Sequence, residues 1–428
     1  MRLTSFGHRS IRAIQQTTFV SIRKNCYTCS SMSRKEKPIR ALYSFPHKLG
    51  ADRICYTAWQ QLDGLSKAGV EVLAIAGALQ RAVPPGVTAK TTLARGKIRL
   101  PYKVLGGMRT FALHDWLVAR QLEGLKDKID IIHTWPLGSR RTLQEAARLR
   151  IPTVLERPNA YTRFAYEVVA KECARLGMTM PSNHEHAFQE DVLRIEEAEY
   201  ELANFLLCPS DFVKRTFLDA GYPGEKLLRH QYGFDVGVFT PSARTSAPDT
   251  GLKMLFVGGA APRKGVHYAL EAWLQSTAHF KGEFAIAGEF IPAYKEILRP
   301  MLSHPSIKVL GHRTDVAELM RNSDILILST IEEGSALVTS EARGSGCVLV
   351  VSEAAGASCE HMENALVHKV GDLQELTSHI NLLDQDRSLL NKLRTASLKT
   401  VDQITWSAAG DRLHRIYLEA LTRSASSS

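Results

Sequence analysis

Short apolar runs alternate with longer stretches of helical period along most of the chain. Residues 39–45 read as a strand, and 46–53 as a loop around Gly50. Residues 54–68 form an amphipathic helix that Gly69 closes as a C-cap, and 70–76 a second strand. Strand, helix and strand in that order open a parallel α/β sheet. Residues 81–109, with several glycines and prolines, read as irregular, and a helix is predicted over 110–126. Strand 129–133 exits through Trp135. A helix over 141–149 leads to strand 152–155, which exits into Glu156, Arg157, Pro158 and Asn159. A helical region over 163–202, broken near Pro181, precedes a short strand at 205–208 and a helix over 211–218 capped by Ser210.

After a polar linker at 242–250 the alternation resumes. A strand ends at Gly258 and Gly259, and a helix follows over 266–274. Further strands are predicted at 284–287, at 307–310 (ending at Gly311 and His312), at 325–328 and at 347–351. A helical region containing Trp406 closes the chain. The expected organisation is a basic leader (1–36), a first βα domain (37–241), a second (250–405), and a closing helix that packs back on the first domain and ends in a Ser-rich tail (406–428). The expected fold class is α/β, with two Rossmann-like, doubly wound domains facing a central cleft, where ligands favour binding.

Loops at the carboxyl ends of parallel strands line the ligand crevice. Glu333 falls on such a loop, and Glu341 on the short helix behind it. Both carboxylates can accept hydrogen bonds from sugar hydroxyls. The amides of Gly334, Ser335 and Ala336, with Leu337 next, open the helix and can receive phosphate. Gly258 and Gly259 let backbone approach a phosphate closely, and Arg263 and Lys264 supply positive charge. Together these groups suit a sugar carried on a diphosphate. Gly50 marks a tight loop that can approach the same phosphates. Glu156, Arg157 and Asn159 either face an acceptor or form an ion-paired loop, and Trp135 either stacks on a sugar ring or packs in the core.

Composition narrows the class. Before Glu36 stand seven basic residues and no acid, and without them the formal +10 falls to +3. So mild a body charge argues against a nucleic-acid partner. The leader reads as an organelle transit peptide or as an upstream extension with Met32 as the start, the second being favoured. Seven scattered cysteines give no disulfide framework and point to a reducing compartment. Cys26 and Cys29 lack a second pair at zinc spacing, and His184 and His186 do not share a helix face, so no metal site is expected. No apolar run is long enough to span a bilayer. The mixed apolar and basic stretch at 97–120 suits either a core helix or peripheral contact with a membrane surface.

The motifs Phe256-Val257-Gly258, Pro262-Arg263-Lys264-Gly265-Val266, Leu270-Glu271-Ala272, Gly288, Gly311, Asp324, and Glu333-Gly334 with Glu341-Ala342 and Gly346 resemble those of the retaining glycosyltransferases of family 4, which have the GT-B fold. Tyr232-Gly233-Phe234-Asp235, with Phe239 and Pro241, is similar to that family's interdomain motif. The likeness covers most of 206–421, and the first half matches in architecture only. It implies that Glu333 contacts donor-sugar hydroxyls, Glu341 the ribose, and Lys264 the diphosphate. It also implies that backbone at Gly311 faces the nucleobase, with His312 beside it. It implies transfer from a nucleotide sugar to a glycan, lipid-linked or small-molecule acceptor, with retention, and without metal or cofactor. The family's second diphosphate cation, an arginine, is replaced by Gly259, and Arg263 is the candidate substitute. Many members carry a histidine where this chain has Trp135. The location expected is cytoplasmic. The rival readings are a degenerate nucleotide-sugar binder or scaffold of polysaccharide assembly, and a phosphorylase or epimerase on the same fold.

Overall fold

The computed structural model describes residues 37–95, 98–99, 106–184, 186–242 and 251–426. The leader at 1–36 with Cys26 and Cys29, most of the linker (243–250), Glu185, Gly96, Lys97, residues 100–105 and the last two serines lie outside the described residues.

Two all-parallel sheets carry the chain from Pro38 onward, within one unit. The first comprises β1 (Arg40–Leu49), β2 (Glu71–Leu79), β3 (Val87–Thr91), β6 (Ile131–Thr134), β7 (Thr153–Glu156), β8 (Phe205–Cys208) and β9 (Leu227–Arg229), in the order β3-β2-β1-β6-β7-β8-β9. A two-stranded antiparallel ribbon, β4 (Ala94–Arg95) and β5 (Ile98–Arg99), stands apart. The second sheet comprises β10 (Lys253–Val257), β11 (Glu283–Ala287), β12 (Ile307–Gly311), β13 (Ile325–Leu328), β14 (Val348–Ser352) and β15 (Ala365–His368), in the order β12-β11-β10-β13-β14-β15. Every residue of β13 and β14 is buried, as strands covered by helices on both faces must be. Strand order reverses between β1 and β6 in one sheet and between β10 and β13 in the other. A ligand crevice forms at such switch points, and the loops carrying Gly258 and Glu333 leave β10 and β13 at the second.

Several elements differ from the sequence expectation. β1 runs on to Leu49 where a loop was expected from Pro46. A register shift between Phe45 and Lys48 accommodates Pro46, which has no N–H to give the ladder. β3 forms inside the stretch read as irregular, because Val87 to Thr91 can pair with the edge of β2. The helix expected over 110–126 is Gly107–Ala119. Its inner face buries Phe111, His114, Asp115 and Val118, and the Arg120 guanidinium lies 4.7 Å over the ring of the half-exposed Trp116. The core-helix reading therefore holds for the described part of 97–120. No described helix is long and apolar enough to cross a membrane.

Two chain crossings join the sheets. The Tyr232–Asp235 segment packs against the start of the last helix, Trp406–Ser426, which itself lies along helix Ile54–Lys67 beside the first sheet. A Cβ at Gly233 would stand 2.3 Å from the Trp406 nitrogen, and one at Gly344 would stand 2.3 Å from the Phe234 ring. Only glycine allows either approach. Gly344 ends the helix that carries Glu341, so Phe234 fixes that helix from behind. Because its clash is with backbone, Gly233→Ala should cost about 1–3 kcal/mol by overpacking. Thermal unfolding should show a lower Tm for Gly233→Ala, and little change for Gly224→Ala, whose added Cβ would meet only Leu218 at 3.6 Å.

Candidate active site

The turn after β10 and the loop after β13 are bonded to each other. Arg263 O accepts from Ile331 N at 2.9 Å and from Thr330 Oγ1 at 2.7 Å, and Ser329 Oγ donates to Gly265 O at 2.7 Å. A Cβ at Gly265 (φ +62°) would lie 1.8 Å from Ser329 O, so this seam requires glycine twice over, for conformation and for space. The seam places Arg263 and Lys264 against Glu332 and Glu333. Lys264 Nζ is ion-paired with Glu333 Oε2. Arg263 Nη1 lies 3.3 Å from the same oxygen, 3.2 Å from Glu332 Oε2 and 2.8 Å from Glu332 O. Burial alone would raise the Glu333 carboxyl, but Arg263, Lys264 and, more weakly, His186 hold it ionised, down to about 2. Burial lowers Lys264, and Glu333 opposes that shift.

Glu341 differs. It is half-buried, with no side-chain partner among the described residues, and burial pushes its carboxyl up to about 7. Of the amides expected to receive phosphate, that of Ala336 already donates to Ala355 O at 3.2 Å, and that of Gly334 points weakly at the Glu333 carboxylate, 3.4 Å away. The N–H groups of Ser335, Leu337 and Val338 have no partner among the described residues. Of the expected set, the amides of Ser335 and Leu337 thus stay unclaimed, joined by that of Val338. Gly334 itself is packed shut: a Cβ there would meet Pro158 O at 1.6 Å, and its carbonyl accepts from Ser210 Oγ at 2.5 Å.

The strand-end glycines of β10, β11 and β12 form one wall. Gly258 N donates to Ala287 O, Gly288 N donates to Gly311 O, and a Cβ at Gly288 would lie 1.8 Å from Gly258 O. Gly259 faces open space, with no atom within 4 Å of a Cβ built there. A hollow of about 460 Å³ lies beside this wall, lined by Gly288, Glu289, Phe290, Val309 and Gly311. His312 is exposed and does not line it; its N–H donates to Glu289 Oε1 at 3.1 Å. A larger hollow, about 1360 Å³ beside β9 and the last helix, includes none of these residues.

On the first sheet, the ion-paired and core-packed alternatives are the ones found for Glu156, Arg157 and Trp135. Glu156 is fully buried, accepting from Gln61 Nε2 and Tyr232 OH, with His230 Nε2 2.8 Å away and His133 Nε2 3.5 Å away. Burial opposes its charge, but the two histidines hold it well below the usual carboxylate range. Arg157 is buried too, paired with Glu196 and lying 4.4 Å over the Tyr200 ring. Trp135 packs on Phe45 and donates to Tyr43 OH at 2.7 Å. All three side chains are buried: Glu156 is the last residue of β7, and Arg157 and Trp135 follow directly on β7 and β6. Gly50 O accepts from Arg81 Nε, and Arg81 and Trp59 stand where a side chain at Gly50 would be. Asn159 alone of the acceptor-side candidates is exposed, its α-carbon 3.1 Å from a Cβ built on Gly334. Arg263, expected as a diphosphate clamp, is turned inward onto the glutamates.

Sequence reasoning missed Glu332, although the Glu332-Glu333 doublet was its visible signal. Glu332 is fully buried and accepts from Ala160 N at 3.4 Å. It also missed Glu172, which binds His267 Nε2 at 2.8 Å across the two sheets. Among the described residues no group of three His, Cys, Asp or Glu could hold a metal ion.

Residues 251–386 match the family model of the glycosyl transferases, group 1. No curated protein sequence matches the chain. The fold is shared with solved structures of low identity. HepE of Anabaena, solved in complex with UDP and glucose, is 16% identical with a TM-score of 0.61, covering 89% of this chain and 100% of that one. The sucrose-phosphate synthase of Thermosynechococcus elongatus is 15% identical with a TM-score of 0.63, covering 90% and 100%. A glycosyltransferase of Rickettsia africae is 14% identical with a TM-score of 0.59, covering 91% and 100%. The chain therefore has the GT-B fold.

The raised carboxyl of Glu341 has a consequence for stability. The folded state holds its proton up to about pH 7, whereas an unfolded glutamate releases it near pH 4.3. The folded chain binds more protons in that window, so stability falls as pH rises through it. Glu341→Gln removes this term. Chemical denaturation at pH 8 should find the variant more stable than the parent chain, with the difference vanishing near pH 4.

Proposed function

We propose that this chain is a glycosyltransferase that moves a sugar from a nucleoside diphosphate to an acceptor hydroxyl with retention, and without a metal. The reading is carried by one arrangement: Lys264 and Glu333 in contact at the β10/β13 switch point, with the unpartnered Glu341 and three free amides on the helix that follows. In this reading Lys264 and the amides of Ser335, Leu337 and Val338 take the diphosphate. Helix amides and a cation can offset the charge of a leaving diphosphate, the part a metal plays elsewhere. Glu341 takes the ribose, and Glu333 the hydroxyls of the transferred sugar. Backbone at Gly258 and Gly259 leaves room for phosphate oxygens to come close. UDP is the first nucleotide to try, because HepE was solved with it. The acceptor approaches from the first sheet, where Asn159 is the exposed candidate. Cytoplasmic location, with or without peripheral membrane contact, belongs to the same reading.

Ligand that binds only the folded state raises stability by RT ln(1 + [L]/Kd), about 2.7 kcal/mol at a hundredfold excess over Kd. UDP or UDP-glucose should raise the Tm of the purified chain, and Lys264→Ala and Glu341→Ala should each reduce the rise. Slow hydrolysis of the cognate nucleotide sugar should accompany binding. Absence of any shift across the common nucleoside diphosphates would sink the proposal, and a full shift in Glu341→Ala would remove the ribose assignment alone.

A further inference from the structure

The site holds a cation that the proposed transfer does not use. Arg263 is buried, and its guanidinium is directed at both carboxylates of the Glu332-Glu333 doublet and at the Glu332 carbonyl. Glu332 is fully buried and reaches on to the Ala160 amide, at the end of the strand-exit loop of the first sheet. Lys264 sits on the same turn but pairs with Glu333 alone of the two glutamates among the contacts described. The two cations thus have unequal ties. Turning Lys264 toward a phosphate breaks one contact, while turning Arg263 out would strip a buried carboxylate of its cation.

Resting on the glycosyltransferase reading, we infer that Arg263 and Glu332 are a positioning pair: a fixed ion pair that holds the Glu333 carboxylate in place and charged while Lys264 is released to the diphosphate. Arg263 is therefore not the second phosphate ligand, despite its neighbour's role. The geometry supports the division. Arg263 Nη1 is within 3.3 Å of both carboxylates at once, a position a phosphate ligand could not keep. The charged and titratable groups facing Glu333 are Arg263 and Lys264 from the turn after β10, Glu332 beside it, and His186 from the segment between helices Thr162–Arg175 and Glu190–Leu202. With Lys264 engaged elsewhere, Arg263 is the cation that stays on Glu333. The pair also ties the loop to Ala160, so the sugar-facing carboxylate is referenced to both sheets.

The test separates nucleotide binding from transfer. The variants are Arg263→Lys, which keeps the charge on a shorter arm without the planar fork, and Glu332→Gln combined with Arg263→Gln, which removes both charges, isosterically at 332 and with a shorter side chain at 263. UDP affinity is measured by calorimetry, and turnover of the nucleotide sugar, as transfer or hydrolysis, across pH. The expected result is a UDP Kd within about twofold of the parent chain for both variants, a kcat lowered at least tenfold in the double variant, and a smaller loss in Arg263→Lys. The acid limb of the double variant's profile should move to higher pH, because a carboxylate that loses a cation protonates more readily. A tenfold or greater weakening of UDP binding in Arg263→Lys would make Arg263 a phosphate ligand and overturn the inference. Unchanged kcat and an unmoved acid limb would overturn it as well. If the double variant does not fold, Arg263→Lys decides alone by the split between Kd and kcat. Failure of the parent chain to bind UDP or any other nucleoside diphosphate would instead strike the glycosyltransferase reading itself.

Discussion

The seam between the turn after β10 and the loop after β13 is the constraint on which the site depends. Gly265 can approach Ser329 only because it lacks a side chain and accepts a left-handed backbone, and that approach brings four ionised side chains into one buried patch. Burying an ion costs several kcal/mol even after relaxation. One opposite charge at 3.3 Å returns about 5 kcal/mol at an effective dielectric near 20. A single partner therefore barely balances burial, and stability requires each ion to have more than one. The structure meets that requirement unevenly. Arg263 touches two carboxylates and a carbonyl and Glu333 touches two cations, while Lys264 has the least to lose by leaving.

The first sheet contributes a floor more than a set of reactive groups. Glu156, His133, His230, Tyr232, Tyr43, Gln61 and Trp135 form a buried polar network between that sheet and helices Ile54–Lys67 and Trp406–Ser426. Tyr232 belongs to the crossing segment whose next two residues contact Trp406 and Gly344. The network thus runs from the core of the first sheet to the helix that presents Glu341. The Glu156 carboxylate is held by two histidines, Gln61 and Tyr232 at once, so its position is fixed from several elements.

The second half was more legible in the sequence than the first, for a physical reason. β13 is wholly apolar and β14 apolar but for Ser352, so the strands stand out, and Lys264 after β10, Glu333 after β13 and Glu341 on the next helix could be placed by position in the βα pattern. β1 hid its length behind Pro46, since a bulge has no sequence period. The exits of β6 and β7 carry polar and aromatic residues that look like ligand groups. They satisfy one another inside, and burial of paired polar groups is invisible without knowing the partners: His230 and Tyr417 are distant in sequence from Glu156 and His133. The same blindness hid Glu332, which differs from its neighbour only in which way the backbone turns it.

The open space at Gly259 bears on how the phosphate side can work. The patch pairs two cationic with two acidic side chains, so in the proposed reading an arriving diphosphate meets no standing excess of positive charge there. In that reading, charge comes from Lys264 leaving Glu333 and from amides that have no partner among the described residues. Both are short-range contributions, and both demand that the phosphates come close to the backbone. A side chain at position 259 would reach farther but would hold the phosphates off the turn. In the proposed reading, the bare turn after β10 and the N–H groups of Ser335, Leu337 and Val338 are thus two halves of one solution, in which proximity to backbone dipoles replaces the reach of a second cation.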